Sequence, residues 1–404
     1  MEIWLTYLAA MLMAGATAFA FPSTQAVYNA VRNVAGALTG AGIFLFIPVS
    51  FITFASGVAS LRKDRLGKKM TAVNIIWAVV TSLSLSLIAA LVVRLSGLTF
   101  PVTASAGGES VSLFSSYSSS LDYTGALSLI NDIFIPLVLL SLIIGTALTP
   151  SSDIIRPAYT VFNSLSEVMY RIQRCVTYFG ALYVYLAATD FFISLYREKT
   201  AFVSPSFFLK AAGASLIMLL VVLPLLYALF IGFKKNPYRI VGKSFSSIVF
   251  AFVSGNIFVS ALQNEAVNRC SLGVQKRIVS TTTPLGIIIT RGGTCFVSTM
   301  TVLTLLTTLG AEISLPALFL IVFTVIGLSL ISSMSAGMET AFISIALLRL
   351  LNINVYGAEA AVISITPFLN GLATMLDITL ISMASNIVAV RTKTDITIPV
   401  RDAF

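Results

Sequence analysis

The sequence contains no histidine, only 3 cysteines, and only 10% charged residues among 404. The lack of histidine excludes histidine-based zinc sites, Ser-His-Asp triads and the metalloprotease helix motif. Cys175, Cys270 and Cys295 are widely spaced and odd in number, so we interpret them as packing thiols and not as a disulfide framework. We therefore expect no cofactor, no bound metal and no enzymatic activity.

Apolar residues, by contrast, make up 57% of the chain. They fall in repeated stretches of about 20 residues, which is the length that crosses a bilayer as a helix. The short alternating segments of a barrel are missing, so the sequence predicts an all-α polytopic membrane protein. No basic residue precedes the first apolar run, which favours a first span over a signal peptide.

The net charge is +9, and the basic residues cluster in short loops at 62–69 and 234–243 and in the segment 391–401. Short basic loops between spans mark the cytoplasmic side, and we favour this interpretation over nucleic-acid binding. The Ser- and Gly-rich segment 101–122 has no Lys or Arg and is expected to be an external loop. We expect a multi-pass protein of the cell (inner) membrane with both termini cytoplasmic.

The expected spans, eight in all, are approximately 3–21, 37–61, 68–97, 125–148, 162–196, 206–233, 278–309 and 357–390. Two further apolar segments, 244–262 and 315–350, are interrupted by Ser254-Gly255-Asn256 and by residues 332–337. Each half is too short to span, and each segment is followed by a full-length span. This pattern predicts two re-entrant helical hairpins in an inverted repeat, which place half-helix ends at a midplane binding site in transporters. Two ordinary kinked helices are the alternative.

Arg291 lies in the middle of the apolar stretch 278–309. A guanidinium is always charged, and a charge at the bilayer centre costs about 2.5–3.5 kcal/mol on insertion scales. Such a residue normally faces a cavity and has a partner. Arg291 therefore predicts a polar site within the membrane.

Several short stretches together resemble a known family. They are Arg65-Leu66-Gly67-Lys68, Thr81-Ser82, Ala251-Phe252-Val253-Ser254, Pro284-Leu285-Gly286, Gly293-Thr294 and Ser335-Ala336-Gly337. On these residues the sequence resembles the dicarboxylate/amino-acid:cation symporter family, the glutamate-transporter homologues. The resemblance covers nearly the whole chain and is most specific in its second half.

The resemblance implies a homotrimer with eight spans, two re-entrant hairpins and an elevator mechanism in which the second hairpin is the gate. Residues 1–61 and 101–200 would form the fixed scaffold, and residues 62–100 and 201–391 the moving transport domain, with 392–404 as a cytoplasmic tail. The implied partners are a small-molecule solute, membrane lipid and two further copies of the chain, with no nucleic acid.

The sequence departs from this family at the binding positions. Thr290, Arg291 and Gly292 stand where the family has Asn, Met and Asp, so a sodium-binding carboxylate is replaced by a neighbouring cation. In the last span, Thr374 and Ser385 replace carboxylates, whereas Asp377 replaces an arginine. Gly255-Asn256-Ile257 replaces a triple serine in the first hairpin, and Glu339 replaces a proline in the second.

The candidate site follows from these matches and departures. The candidate substrate-binding residues are Ser254, Gly255, Asn256, Arg291, Thr294, Ser335, Ala336, Gly337, Glu339, Asn370, Thr374 and Asp377. The candidate ion-coupling residues are Thr81, Ser82, Glu339 and Asp377.

We hypothesise that Arg291 stands in for a bound cation, pairs with Glu339 or Asp377, and removes sodium dependence. The expected activity is secondary active transport of an amino acid or another carboxylate-bearing metabolite, with proton coupling left open. The alternatives are a structural charge pair in a non-functional cavity, an uncoupled or proton-coupled anion-conducting pathway, and a non-transporting receptor. Glu265 and Arg269, at i and i+4, are expected to form an ordinary helix-surface pair.

Overall fold

The fold is described by a computed structural model that covers residues 3–20, 25–98, 100, 124–148, 153–198, 205–308, 313–332, 337–351 and 358–394. Across these ranges all regular structure is helical, as the composition predicts. In chain order the helices are α1 Ile3–Ala20, α2 Gln25–Lys63, α3 Gly67–Ser96, α4 Thr124–Ala147, α5 Arg156–Glu198, α6 Pro205–Ile217, α7 Leu223–Ile231, α8 Pro237–Lys243, α9 Phe245–Ser254, α10 Ile257–Cys270, α11 Lys276–Ile289, α12 Gly292–Thr308, α13 Leu315–Ile331, α14 Glu339–Leu350 and α15 Ala358–Arg391. A π-helical turn, Met218–Val222, joins α6 to α7.

Among the described residues, 7 segments are long and apolar enough to cross a membrane. They are Ile3–Ala20, Val27–Lys63, Gly67–Ser96, Arg156–Ser194, Pro205–Ile231, Lys276–Thr308 and Ala361–Arg391. The predicted fourth span corresponds to α4, whose apolar part is described as Phe134–Ala147. Eight spans therefore remain a prediction, and the expected external loop at 101–122 lies outside the described residues.

The first interrupted segment folds as two short helices, α9 and α10, which we call the first helix pair. Gly255 ends α9 with a left-handed φ of 55°, and the Asn256 side chain caps the N-terminus of α10. The two helices have 10 and 14 residues, so at 1.5 Å per residue they are about 15 and 21 Å long, shorter than the hydrocarbon core. Neither helix can cross the membrane alone.

The second interrupted segment also folds as two short helices, α13 and α14, which we call the second helix pair. They have 17 and 12 residues, about 25 and 18 Å in length. Gly337, just before α14, has a φ of 78°, a conformation that residues with a Cβ rarely adopt. The re-entrant path of both pairs through the membrane stays a prediction.

The predicted span at 278–309 is found as the candidate span Lys276–Thr308, but its helix is broken in the middle. Helix α11 ends at Ile289 and α12 begins at Gly292, and Thr290 has a ψ of 73°, outside the helical region. The break exposes the C-terminus of one helix and the N-terminus of the next inside the protein. Arg291 lies in this break.

Helix α15 is the central element, since 94% of its apolar window is buried. It packs against α9, α11, α12 and α14, and two glycines allow close approach. A Cβ added to Gly293 would lie 2.5 Å from the Ala373 carbonyl oxygen, and one added to Gly371 would lie 2.5 Å from that of Phe252. These contacts place both the break in the span and the first helix pair against α15.

Candidate functional site

Arg291 pairs with two carboxylates that come from different helices. Its Nη2 lies 3.6 Å from Oε1 of Glu339 at the start of α14, and its Nη1 lies 3.8 Å from Oδ2 of Asp377 on α15. The three side chains, which we call the charged triad, are at most 4% exposed. One cation and two ionised carboxylates sum to a formal charge of −1.

Asp377 is held mainly by the N-terminus of α12. Its carboxylate accepts hydrogen bonds from the backbone N–H of Gly293 at 2.6 Å and of Thr294 at 3.3 Å, and from the Thr294 hydroxyl at 2.5 Å. The first N–H groups of a helix have no partner within the helix, and the helix dipole favours a negative charge there. The break at Thr290–Arg291 thus creates the place in which a buried carboxylate is stable.

Asn370, 7 residues before Asp377, has the same role for α14. Its Oδ1 accepts hydrogen bonds from the backbone N–H of Thr340 at 3.1 Å and from the Thr340 hydroxyl. Seven residues are close to two helical turns, so one face of α15 caps two helices. Asn256 caps α10 through the N–H of Phe258 at 3.0 Å.

The ends of both helix pairs meet at this face of α15. A Cβ built on Gly255 would lie 3.7 Å from the Cβ of Asn370, and one built on Gly337 would lie 3.7 Å from Nδ2 of Asn256. The capped N-termini of α12 and α14 therefore adjoin the charged triad, and the capped N-terminus of α10 lies next to Gly337, two residues before Glu339. Such an arrangement attracts negative groups through N–H donors and helix dipoles.

Several buried polar atoms of this site lack a hydrogen-bond partner, and we call them the open atoms. Among the described residues, Nε and Nη2 of Arg291, Oε1 of Glu339 and Nδ2 of Asn370 have no hydrogen-bond partner, although all are buried. Each unsatisfied buried polar atom costs about 1–3 kcal/mol. Nη2 of Arg291 and Oε1 of Glu339 are the two atoms of the 3.6 Å ion pair, so a small polar molecule that enters between these side chains could bind both, with Nε of Arg291 and Nδ2 of Asn370 as further donors.

The structure brings most of the predicted site residues together. Arg291, Glu339 and Asp377 form the charged triad and Thr294 bonds to it, whereas contacts at the meeting ends of the two helix pairs link Gly255 to Asn370 and Asn256 to Gly337. Thr374 is buried on α15 between Asn370 and Asp377. Ser254 lies at the end of α9 and bonds to Ser260 at 2.7 Å. Ser335 and Ala336 are outside the described residues.

The predicted ion-coupling pair lies next to the break in the span. A Cβ added to Gly292 would lie 3.5 Å from the Cβ of Thr81, and the neighbouring Ser82 is buried. The Thr81 hydroxyl donates to the Trp77 carbonyl oxygen of its own helix at 2.8 Å. Thr340 was not predicted, because its partner Asn370 is 30 residues away and no local pattern links the two.

The expected surface pair of Glu265 and Arg269 is wrong. Glu265 is only 3% exposed and accepts a hydrogen bond from Nε2 of Gln173 on α5 at 2.7 Å. Arg269 pairs instead with Glu167, also on α5, at 3.2 Å. The i,i+4 spacing indicates proximity along one helix, but the packing of α5 against α10 decides the partners.

The fold and the site define a multi-pass helical membrane protein with ionised groups enclosed between broken helices. The sequence matches the sodium:dicarboxylate symporter family over residues 3–391. The chain belongs to this family, which confirms the predicted resemblance, and its members are transporters and not enzymes. Comparison with curated proteins gives no match. A membrane transporter of a small-molecule solute is therefore the class of this protein.

Proposed function

We propose that the protein is a secondary active transporter of a small solute that carries a carboxylate, such as an amino acid, and that Arg291 takes the place of a bound cation. The observation that carries the proposal is the set of open polar atoms around the charged triad. The set lies where the ends of both helix pairs meet. Movement of either end would therefore give a solute access to these atoms.

The open atoms favour a particular kind of solute. Nε and Nη2 of Arg291 share one edge of the guanidinium, and this edge binds a carboxylate through two parallel hydrogen bonds. Oε1 of Glu339 accepts from an ammonium or hydroxyl group, and Nδ2 of Asn370 donates to a further oxygen. Because the triad already carries a formal charge of −1, a zwitterion suits it better than a dicarboxylate.

The triad also argues against sodium binding at this place. Sodium needs several oxygen ligands to replace its water, and a guanidinium repels it most strongly where the dielectric constant is low. The Asp377 oxygens are taken up by the N-terminus of α12 and by Arg291. Thr81 and Ser82 retain hydroxyl groups, but hydroxyls alone supply no charge. Coupling to protons through Glu339 or Asp377 is part of the same proposal.

We further propose the family's elevator movement, with three chains forming a scaffold from α1, α2, α4 and α5. The remaining helices, with both helix pairs, would carry the solute across the membrane. An anion-conducting pathway is the competing function, and Arg291 alone would favour it. The two carboxylates beside Arg291 reverse the sign of the local charge and so disfavour anion passage.

The proposal is tested with purified protein in lipid vesicles. A thermal-shift screen over amino acids, dicarboxylates, nucleosides and vitamins identifies the solute, and counterflow of the labelled solute is then measured with sodium or choline on both sides. We expect saturable counterflow of an amino acid at the same rate in both salts. Uptake that requires a sodium gradient would overturn the replacement of the cation by Arg291. Anion currents without counterflow of any solute would support the conducting pathway.

A further inference from the structure

Helix α5 is joined to α10 and α11 by a series of polar contacts that lies outside the charged triad. The contributing residues of α5 recur at intervals of three or four positions and so share one face of that helix. We call this set the polar ladder; its members are Asn163, Glu167, Tyr170 and Gln173 from α5, and Glu265, Arg269, Cys270 and Lys276 from α10 and α11.

The contacts run in opposite chain directions along the two partners. At one end, Nζ of Lys276 bonds to Oδ1 of Asn163 at 3.0 Å and lies 3.0 Å from Glu167. Arg269 lies 3.2 Å from Glu167, and its guanidinium stacks on the Tyr170 ring with 3.4 Å between Cζ and the ring centroid.

At the other end, Tyr170 Oη lies 2.6 Å from Cys270 Sγ, and Gln173 Nε2 donates to Glu265 Oε2 at 2.7 Å.

The ladder passes from solvent into the interior along its length. The side chain of Glu167 is 47% exposed, whereas Gln173 and Glu265 are buried. Among the described residues, the remaining acceptor oxygens, Oε1 of Gln173 and Oε1 of Glu265, have no hydrogen-bond partner. Loss of the bond between Gln173 and Glu265 would leave a carboxylate and an amide unpaired in the interior, so this is the contact that is most costly to break.

The second helix pair is attached differently. It packs mainly against α3, α12 and α15, and its ion pair, Arg349 with Glu359 at 3.0 Å, is exposed and links α14 to α15. The first pair instead packs against α2 and α5 as well as α15. Both pairs consist of two short helices, but they pack against different parts of the protein.

A polar interface differs from an apolar one in how it tolerates sliding. An apolar interface remains buried at many registers, because the hydrophobic effect is not directional. The polar ladder has a single register, since a shift of α10 by one helical turn, about 5.4 Å, would unpair each of its contacts at once. It therefore favours one position of the first pair along α5.

We propose that the polar ladder is a latch that holds the first helix pair against α5 and opens whenever that pair moves along α5, with Gln173 and Glu265 as positioning residues at its buried end. The inference rests on the movement in the proposed function. It makes opening of the ladder part of the barrier to solute translocation.

A disulfide reports the latched position. A Cβ built on Gly42 of α2 lies 3.6 Å from the Cβ of Val259 on α10, within the range that a disulfide requires. The Gly42→Cys/Val259→Cys protein should therefore form this cross-link when oxidised, and Gly42→Cys alone and Val259→Cys alone, which keep the three native cysteines, are the controls. The rate of cross-linking measures how much of the protein holds α10 in this position.

The test adds ladder substitutions to the cysteine pair. Gln173→Met removes the buried hydrogen bond, and Gln173→Met/Glu265→Met also removes the buried charge, so a folded variant is available even if the first is unstable. We expect cross-linking to become about ten-fold slower and solute counterflow about ten-fold faster. This factor corresponds to the loss of one hydrogen bond to a charged group. The exchange Gln173→Glu/Glu265→Gln keeps the bond and should restore the parent rates. Arg349→Met, at the exposed pair, should leave both rates unchanged.

Cross-linking at the parent rate in both methionine variants would overturn the latch. This readout needs no solute, so it decides on the latch even if counterflow is not found. Conversely, sodium-independent counterflow with unchanged cross-linking would support the proposed function and reject the latch. Faster cross-linking in the methionine variants would also reject it.

Discussion

At the scale of single residues, Arg291 is the side chain whose environment has the largest consequences. Its guanidinium separates two buried carboxylates, of which Asp377 has a helix N-terminus as a second partner and Glu339 starts a helix of its own. Removal of the cation would leave two negative charges to face each other in a dry interior. Breaking a buried pair in this way costs about 3–5 kcal/mol.

We therefore predict that Arg291→Met lowers the melting temperature of the purified protein strongly. Arg291→Met/Glu339→Gln should recover part of the loss, because the remaining carboxylate, Asp377, keeps its hydrogen bonds to α12. Arg349→Met, at an exposed pair worth at most about 1 kcal/mol, is the control and should change little. Equal melting temperatures for Arg291→Met and the parent would contradict the described pairing.

A second residue-scale prediction concerns Gly293. A Cβ at this position would lie 2.5 Å from both the Ala373 carbonyl oxygen and the Leu376 Cβ, so Gly293→Ala must push α12 away from α15. We expect a loss of several kcal/mol, in the range of severe overpacking, together with loss of solute binding. Gly327→Ala is the matched control, since a Cβ there meets nothing within 4 Å. Thermal unfolding of both variants is the measurement.

At the scale of helices, α15 organises the site by capping two others. Asn370 serves α14 through Oδ1 and leaves Nδ2 open, which allows the structural and the proposed binding role to be separated. Asn370→Asp keeps an acceptor for the N–H of Thr340 and replaces the open Nδ2 donor with a second carboxylate oxygen. Asn370→Ala removes both the acceptor and the donor and loses a cap that contributes about 0.5–2 kcal/mol.

We predict that Asn370→Asp keeps the cap of α14 and unfolds at a higher temperature than Asn370→Ala, whereas both variants bind the solute more weakly than the parent. In Asn370→Asp the added negative charge beside Glu339 further weakens the binding of a carboxylate-bearing solute. Binding is followed by titration of the thermal shift with the solute identified in the screen. Unchanged affinity in Asn370→Asp would exclude Nδ2 from the binding site.

Part of this helical arrangement could be predicted from the sequence, and the reasons for the rest are physical. The break at Ser254-Gly255-Asn256 was predictable, because Gly and Asn are local signals for a helix end and a helix start. The break at Thr290–Arg291 was not, because neither residue ends a helix by its own preference. It depends on Asp377, 84 residues away from Gly293, which supplies the acceptors that the new N-terminus needs.

At the scale of the whole molecule, the proposed elevator movement requires α10 to slide past α2. We predict that oxidation of Gly42→Cys/Val259→Cys stops solute counterflow and that a reductant restores it. Counterflow by Gly42→Cys alone or Val259→Cys alone should be as insensitive to oxidation as counterflow by the parent with its three native cysteines. Counterflow that continues in the fully cross-linked protein would show that translocation does not involve this movement.

Some features of the whole chain could likewise be predicted from the sequence, and others could not. The family was recognisable because its motifs are short, local and matched along nearly the whole chain, and the match over residues 3–391 bears this out. The attachment of the first helix pair to α5 could not be predicted, because Gln173 and Glu265 are 92 residues apart and no local pattern in either helix links them. The predicted division into scaffold and transport domain stays a prediction.

The charged triad also bears on the energetics of a carrier. A free ion that enters with the solute and leaves on the other side releases the energy of its own gradient. A guanidinium fixed to the backbone has no gradient, because in the proposed movement it crosses with the loaded protein and returns with the empty one. Over a complete cycle Arg291 does no net work, so any accumulation of solute must be driven by some other species or by exchange of one solute for another.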